Sequence, residues 1–178
     1  MEKIALLTDS ACDLSIDFTK KNNIKMLPFK IIFSDRDYDD GIDITPEMLY
    51  KTLPKEIPTT SLPSVERFTS ALEDAISKGY THAIIITISS GISGSYNSAR
   101  VAAENIPGLK TFVFDSMTLT MSQGAMVIET KSLIDQGKSF DEIVEILPTY
   151  RSKIDVFFTL DTLEYLIKGG RIGKVAGT

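Results

Sequence analysis

At 178 residues and 43% hydrophobic, the chain is long enough to bury a core as one domain or one and a fraction. Its 19 basic and 24 acidic residues leave a net charge of −5, and no basic cluster exceeds Lys20-Lys21, which argues against nucleic acid as a partner. No apolar run approaches the roughly 20 residues a membrane-spanning helix needs, so no membrane span is expected.

The start, Met1-Glu2-Lys3, lacks the apolar region of a secretory signal. The single cysteine, Cys12, has no partner for an internal disulfide, and together these features place the expected location in a reducing cytoplasm. Ile4-Ala5-Leu6-Leu7 is a continuous apolar run ending in Thr8-Asp9-Ser10, the pattern of a parallel strand buried on both faces and opening into a polar loop. Asp13 or Ser15 caps a short helix through Asn22, and residues 24–33 follow as an extended segment interrupted by Pro28. Residues 35–43 carry five aspartates but lack the glutamate spacing of an EF-hand loop, so a solvated loop is expected and no metal site.

Thr45-Pro46-Glu47 reads as a helix cap with proline in the first turn. In Pro58-Thr59-Thr60-Ser61-Leu62-Pro63-Ser64, Ser64 is the natural cap of the helix at 65–78, whereas Thr60 and Ser61 have no such local duty. Strand 82–88 then feeds Ser89-Ser90-Gly91-Ile92-Ser93-Gly94-Ser95, a hydroxyl-rich loop that enters an alanine-rich helix at 96–105. Thr111-Phe112-Val113-Phe114 is another buried strand and again ends in Asp-Ser, Asp115-Ser116. Helices are predicted from Thr118 to Gln136, from the Ser139-Phe140-Asp141-Glu142 capping box to Tyr150, and from Thr162 to Lys168, with a last strand near 154–160.

The alternation predicts a three-layer α/β/α domain with a mostly parallel sheet, whose ligand edge lies beyond the carboxyl ends of the strands. Asp9, Ser10, Ser93, Ser95, Asp115 and Ser116 all fall at that edge. A serine hydrolase is disfavoured: Gly91-Ile92-Ser93-Gly94-Ser95 misplaces the second glycine of a nucleophile elbow, and the only histidine, His82, starts the strand on the order of 20 Å away. Neither nucleotide-binding glycine pattern occurs and no lysine lies near the loop. A carboxylate remains, held by hydroxyls and backbone N–H groups with apolar walls for a tail; plain capping of the helix by the same hydroxyls fits the spacing equally.

These segments resemble the DegV family of bacterial fatty-acid-binding proteins. The match rests on Leu7-Thr8-Asp9-Ser10, Thr59 to Ser64, Ser89 to Tyr96, Phe114-Asp115-Ser116 and Leu163 to Gly173 with its Gly169-Gly170-Arg171-Ile172. Leu62 departs from it, since the family often has glutamine there. The resemblance implies a long-chain fatty acid whose carboxylate is held by Thr60, Ser93 and the Gly94 amide. Ser61, Ser95, Asp9, Ser10, Asp115 and Ser116 are candidates to support those contacts, and Arg171 to touch a partner or product. It further implies a non-catalytic carrier with no cofactor, which presents the acid to a separate ATP-dependent kinase for conversion to acyl phosphate.

Residues 1–153 are expected to form the head-group domain and 154–178 the last strand and the beginning of a truncated second α/β domain. The competing reading is an acyl or phosphoryl transferase whose catalytic base lies beyond Thr178. A regulatory module that uses lipid as a signal is a third.

Overall fold

The computed structural model describes residues 2–171. Four strands form a parallel sheet in the order β2-β1-β6-β7: β1 (Ile4–Asp9), β2 (Ile24–Leu27), β6 (His82–Thr87) and β7 (Lys110–Asp115). Ile84 lies beside Leu6 on one side and Phe112 on the other, so the apolar runs of β1, β6 and β7 sit in register. Successive side chains leave opposite faces of a strand. Leu7, Ala83 and Ile85 therefore meet α3 (Val65–Ser77) and α4 (Ser95–Glu104) through Phe68, Leu72 and Ala102. Leu6, Ile84 and Ile86 meet α5 (Thr120–Asp135) and α6 (Phe140–Arg151) through Met126, Ile143 and Leu147. Ile84, Ile85 and Ile86 are fully buried, each stabilising the fold by roughly 1.5–3 kcal/mol. The expected three-layer α/β/α architecture is present.

The helices start where the sequence places caps. Ser15 opens α1 (Ile16–Lys21), Thr45 opens α2 (Pro46–Thr52) with Pro46 in its first turn, and Ser64 opens α3, each accepting a backbone N–H from three residues on. At α6 the capping box is complete: Glu142 N–H donates to Ser139 Oγ, and Ser139 N–H donates to Glu142 at 2.9 Å.

Two predicted extended segments are corrected. Pro28 divides residues 24–33, leaving β2 in the parallel sheet and β3 (Lys30–Ile32) in a separate antiparallel sheet of order β4-β3-β5. A proline that cannot donate marks the change of direction. Its partners are β4 (Asp37–Asp39), inside the region expected to be a solvated loop, and β5 (Thr59–Ser61), inside the proline-bracketed turn. Ile31, Phe33 and Ile44 form the small sheet's own core. Arg67 of α3 ties it to the main body, donating to the Pro28 carbonyl at 3.3 Å and to Asp39 at 3.0 Å.

The second correction concerns 154–160, which is not a strand. β7 ends the parallel sheet on that side and no strand among the described residues accepts the segment's backbone, so Phe157 stands 93% exposed. The short helix α7 (Glu164–Lys168) follows, and Ile172 and Gly173 of the glycine-arginine motif lie outside the described residues. No helix among the described residues is long and apolar enough to cross a membrane.

A cleft at the carboxyl edge of the sheet

The loop between β6 and α4 is shaped from within and from below. Ile92 and Ser93 both donate their N–H groups to the Ser89 carbonyl, at 3.0 and 3.1 Å, closing a turn. The neighbouring loop after β7 fixes its near side: Ser89 N–H donates to the Thr118 carbonyl at 2.8 Å, and Ser90 N–H donates to Asp115 Oδ1 at 3.1 Å. Asp115 also accepts from Met117 N–H at 2.9 Å, and the buried Ser116 hydroxyl donates to the Thr118 carbonyl. Arg151 at the end of α6 donates to the carbonyls of Ser116, Met117 and Ile154, which holds this second loop against the helix.

Beneath the loop lies Asp9, at the carboxyl end of β1 and inaccessible to solvent. Its Oδ2 accepts from Ile88 N–H at 3.0 Å and from the Ser95 hydroxyl at 2.7 Å, and its Oδ1 accepts from the Gln123 amide of α5 at 2.9 Å. Burial pushes this carboxyl above its ordinary value, and the hydrogen bonds oppose that push. Ser95 N–H in turn donates to Ser93 Oγ at 3.2 Å. The N-cap of α4 is Gly94, without a side-chain cap, and the Ser93 oxygen accepts instead from the first helical N–H, that of Ser95, while its proton has no acceptor among the described residues and stays available to a ligand. The Gly94 amide likewise has no backbone acceptor among them. A side chain at Gly94 would stand 3.0 Å from Leu62 Cδ2, so the absent Cβ lets the loop approach the turn after β5.

Ser93 and Thr60 line the same cleft, of about 690 Å³, although they come from different sheets and different parts of the chain. Its other walls are largely apolar, with Phe29, Ile31, Leu49, Ile57, Ile88 and Ile92 among them. Asp40, Lys168 and Arg171 bring charge to its margin. The buried Ser10 hydroxyl donates to Asp40 Oδ2 at 2.7 Å and accepts from Phe29 N–H at 3.0 Å, so Ser10 supports the wall without lining it. Asp9, Ser95, Asp115 and Ser116 do not line the cleft but hold the loops that do. Ser61 is set apart: its hydroxyl donates to the Leu62 carbonyl at 3.4 Å and it does not border the cleft.

The arrangement offers hydrogen-bond donors more readily than nucleophiles. His82 sits in register with Ile4 and Lys110 at the amino end of the strands, its Nδ1 2.8 Å from Thr81 Oγ1, and cannot act as a base for Ser93. The Cys12 thiol is buried and pushed up to about 11 by that burial, which keeps it a thiol. No group of acidic, histidine or cysteine side chains among the described residues has the geometry to hold a metal ion. Asp40 and the apolar residues of β3 and α2 were not foreseen as parts of the site. The apolar run Ile31-Ile32-Phe33 was the available signal, concealed because residues 24–33 read as a single strand.

Comparison with known proteins identifies the family and the fold. The family model described as "Uncharacterised protein, DegV family COG1307" matches residues 3–178. A DegV domain-containing protein of Clostridium acetobutylicum is 49% identical over the whole of this chain, which covers 64% of that relative. Among solved structures, the Thermus thermophilus protein described under "Fatty Acid Binding of a DegV family Protein" superposes with a TM-score of 0.87 at 33% identity, covering 97% of this chain and 62% of that one. DegV of Bacillus subtilis, described as a fatty acid binding protein, gives a TM-score of 0.89 at 29% identity, covering 96% of this chain and 61% of that one. The chain thus spans a little under two thirds of the length of these relatives. The extent of the family match, over a fold of parallel strands with the hydroxyl loop at their carboxyl edge, establishes that the chain belongs to the DegV family.

Proposed function

We infer that this protein binds a long-chain fatty acid, with the carboxylate accepting hydrogen bonds from the Thr60 hydroxyl, the Ser93 hydroxyl and the Gly94 amide. The observation that carries this reading is the convergence of Thr60 and Ser93 on one cleft whose remaining walls are mainly apolar. Its volume of about 690 Å³ falls within the roughly 300–1,000 Å³ typical of small-molecule sites. Hydroxyl and amide donors suit a carboxylate's acceptor-only oxygens, and the alkyl tail gains from leaving water. The fatty-acid-binding descriptions of the Thermus thermophilus and Bacillus subtilis structures support the ligand class.

The protein acts as a cytoplasmic carrier without a cofactor and hands the acid to a separate ATP-dependent kinase. His82 at the far edge and the protonated Cys12 favour a carrier over a transferase. Arg171, which lines the cleft, is the residue we assign to contact with that partner or with the phosphorylated head group.

The test is recovery of lipid. Extraction of purified wild-type protein should yield fatty acid, and Thr60→Ala combined with Ser93→Ala should lower the yield at least tenfold. Unchanged lipid content in the double variant would refute the carboxylate assignment. In a parallel arm, ATP and palmitate should give no acyl phosphate until a kinase is added; turnover by the protein alone would favour the transferase.

A further inference from the structure

Ser95 links two hydrogen bonds through different atoms. Its hydroxyl donates downward to Asp9 Oδ2 at 2.7 Å, and its backbone N–H donates to Ser93 Oγ at 3.2 Å. Neither Ser95 nor Asp9 is accessible to solvent, so neither touches what enters the cleft. We propose that Ser95, anchored by the buried Asp9 side chain, is the positioning residue that orients the Ser93 hydroxyl for donation and so favours a carboxylate over a neutral head group in the cleft. This rests on the reading of the cleft as a fatty-acid site.

A free serine hydroxyl both donates and accepts. Ser93 differs because the Ser95 N–H takes one of the two lone pairs on its oxygen, which restricts the hydroxyl rotor and leaves its proton with no acceptor among the described residues. The orientation is held by contacts outside the loop. Asp9 fixes the loop's start through Ile88 N–H and its end through Ser95, and its second oxygen is held by Gln123, so the side chain cannot swing away without breaking contacts to the loop, α4 and α5. A donor fixed in place loses no reorganisation energy when an anion arrives. A neutral head group gains less, because a hydrogen bond donated to an uncharged oxygen is weaker than one donated to a carboxylate and only one lone pair of Ser93 stays open to its O–H.

The experiment measures binding of palmitate and of hexadecanol, which share a chain length and differ in head group. Ser95→Ala keeps the backbone N–H but cuts the anchor; it should weaken palmitate binding at least tenfold and hexadecanol binding less than about twofold. Asp9→Asn retains an oxygen that accepts from Ile88 and Ser95, while the Gln123 amide, whose own oxygen is unpartnered, turns to accept from the new NH₂. It should keep most of the wild-type preference, whereas Asp9→Ala should lose it as Ser95→Ala does. Equal losses for both ligands in Ser95→Ala would show a merely structural role and overturn the proposal, as would an unchanged preference. If Ser95→Ala does not fold, the contrast between Asp9→Asn and Asp9→Ala decides by the same criteria, and if Asp9→Ala fails as well, loss of preference in the folded Asp9→Asn overturns it. Failure of wild-type protein to bind palmitate would instead refute the fatty-acid reading, and loss of binding in Ser93→Ala with none in Ser95→Ala refutes this inference alone.

Discussion

Asp9 shows how one side chain serves both stability and the site. Its carboxyl is raised above the ordinary value of 3.8 because burial outweighs the hydrogen bonds it accepts. The folded chain therefore binds this proton more tightly than the unfolded chain, and the associated stabilisation is complete below 3.8 and is lost as pH rises through the folded value. Asp9→Asn removes the titration. The difference in Tm between wild type and this variant, measured across acidic to neutral pH, should be most favourable to wild type at the acid end and decline steadily with rising pH. A flat difference would mean that the carboxyl is not perturbed. The residue's place at the strand end was legible from Leu7-Thr8-Asp9-Ser10, but its partner Ser95 was not, because pairing across the sheet edge depends on the order β2-β1-β6-β7.

Among the elements, α5 is placed by a close approach of backbones. Gly124 faces the single 3-10 turn Ser10–Cys12 that follows β1, and a Cβ there would stand 2.5 Å from the Cys12 carbonyl oxygen and 3.3 Å from Leu14. Alanine would gain about 1 kcal/mol of helix propensity, but the opposing backbone would have to move, at a cost of about 1–3 kcal/mol. Gly124→Ala should therefore lower Tm, by up to roughly 8 °C for a net loss of up to about 2 kcal/mol, as followed by thermal denaturation. The turn includes Ala11, which lines the cleft, so ligand affinity should fall as well. The sequence showed α5 by its apolar period but not this contact, since a glycine within a helix carries no sign of what packs on it. The short strands β3, β4 and β5 were illegible for a different reason: three residues are too few to establish an alternation, and Thr59-Thr60-Ser61 is exposed and polar. The long strands β1 and β6, buried on both faces, were plain from Ile4–Leu7 and Ala83–Ile86.

At the level of the whole molecule, the hydroxyl loop and Thr60 belong to bodies of unequal size. Ser93 rides on the four-stranded sheet with its two helical layers, whereas Thr60 rides on a three-stranded sheet with a small core of its own. Arg67 and the Ser10–Asp40 contact are among the polar links between them, and Arg67 together with Lys30 holds the Asp39 carboxyl below its ordinary range. Thr60 stood out in the sequence as a hydroxyl without a local capping duty, but nothing local reveals which loop it will oppose. A head group bonded to both hydroxyls would act as a cross-link between the two sheets, and its binding energy would appear as resistance to their separation. Amide protons of β3 and β5 should accordingly exchange more slowly, by about tenfold or more, in lipid-loaded protein than in delipidated protein, while those of β1 and β6 change little. Hydrogen-exchange mass spectrometry reads both regions in one experiment, and equal protection with and without lipid would separate the ligand from the small sheet. With its donors divided between two sheets, a bound fatty acid would be a structural member: the empty protein would be the looser, more readily proteolysed form, and occupancy would be reported by the integrity of the small sheet.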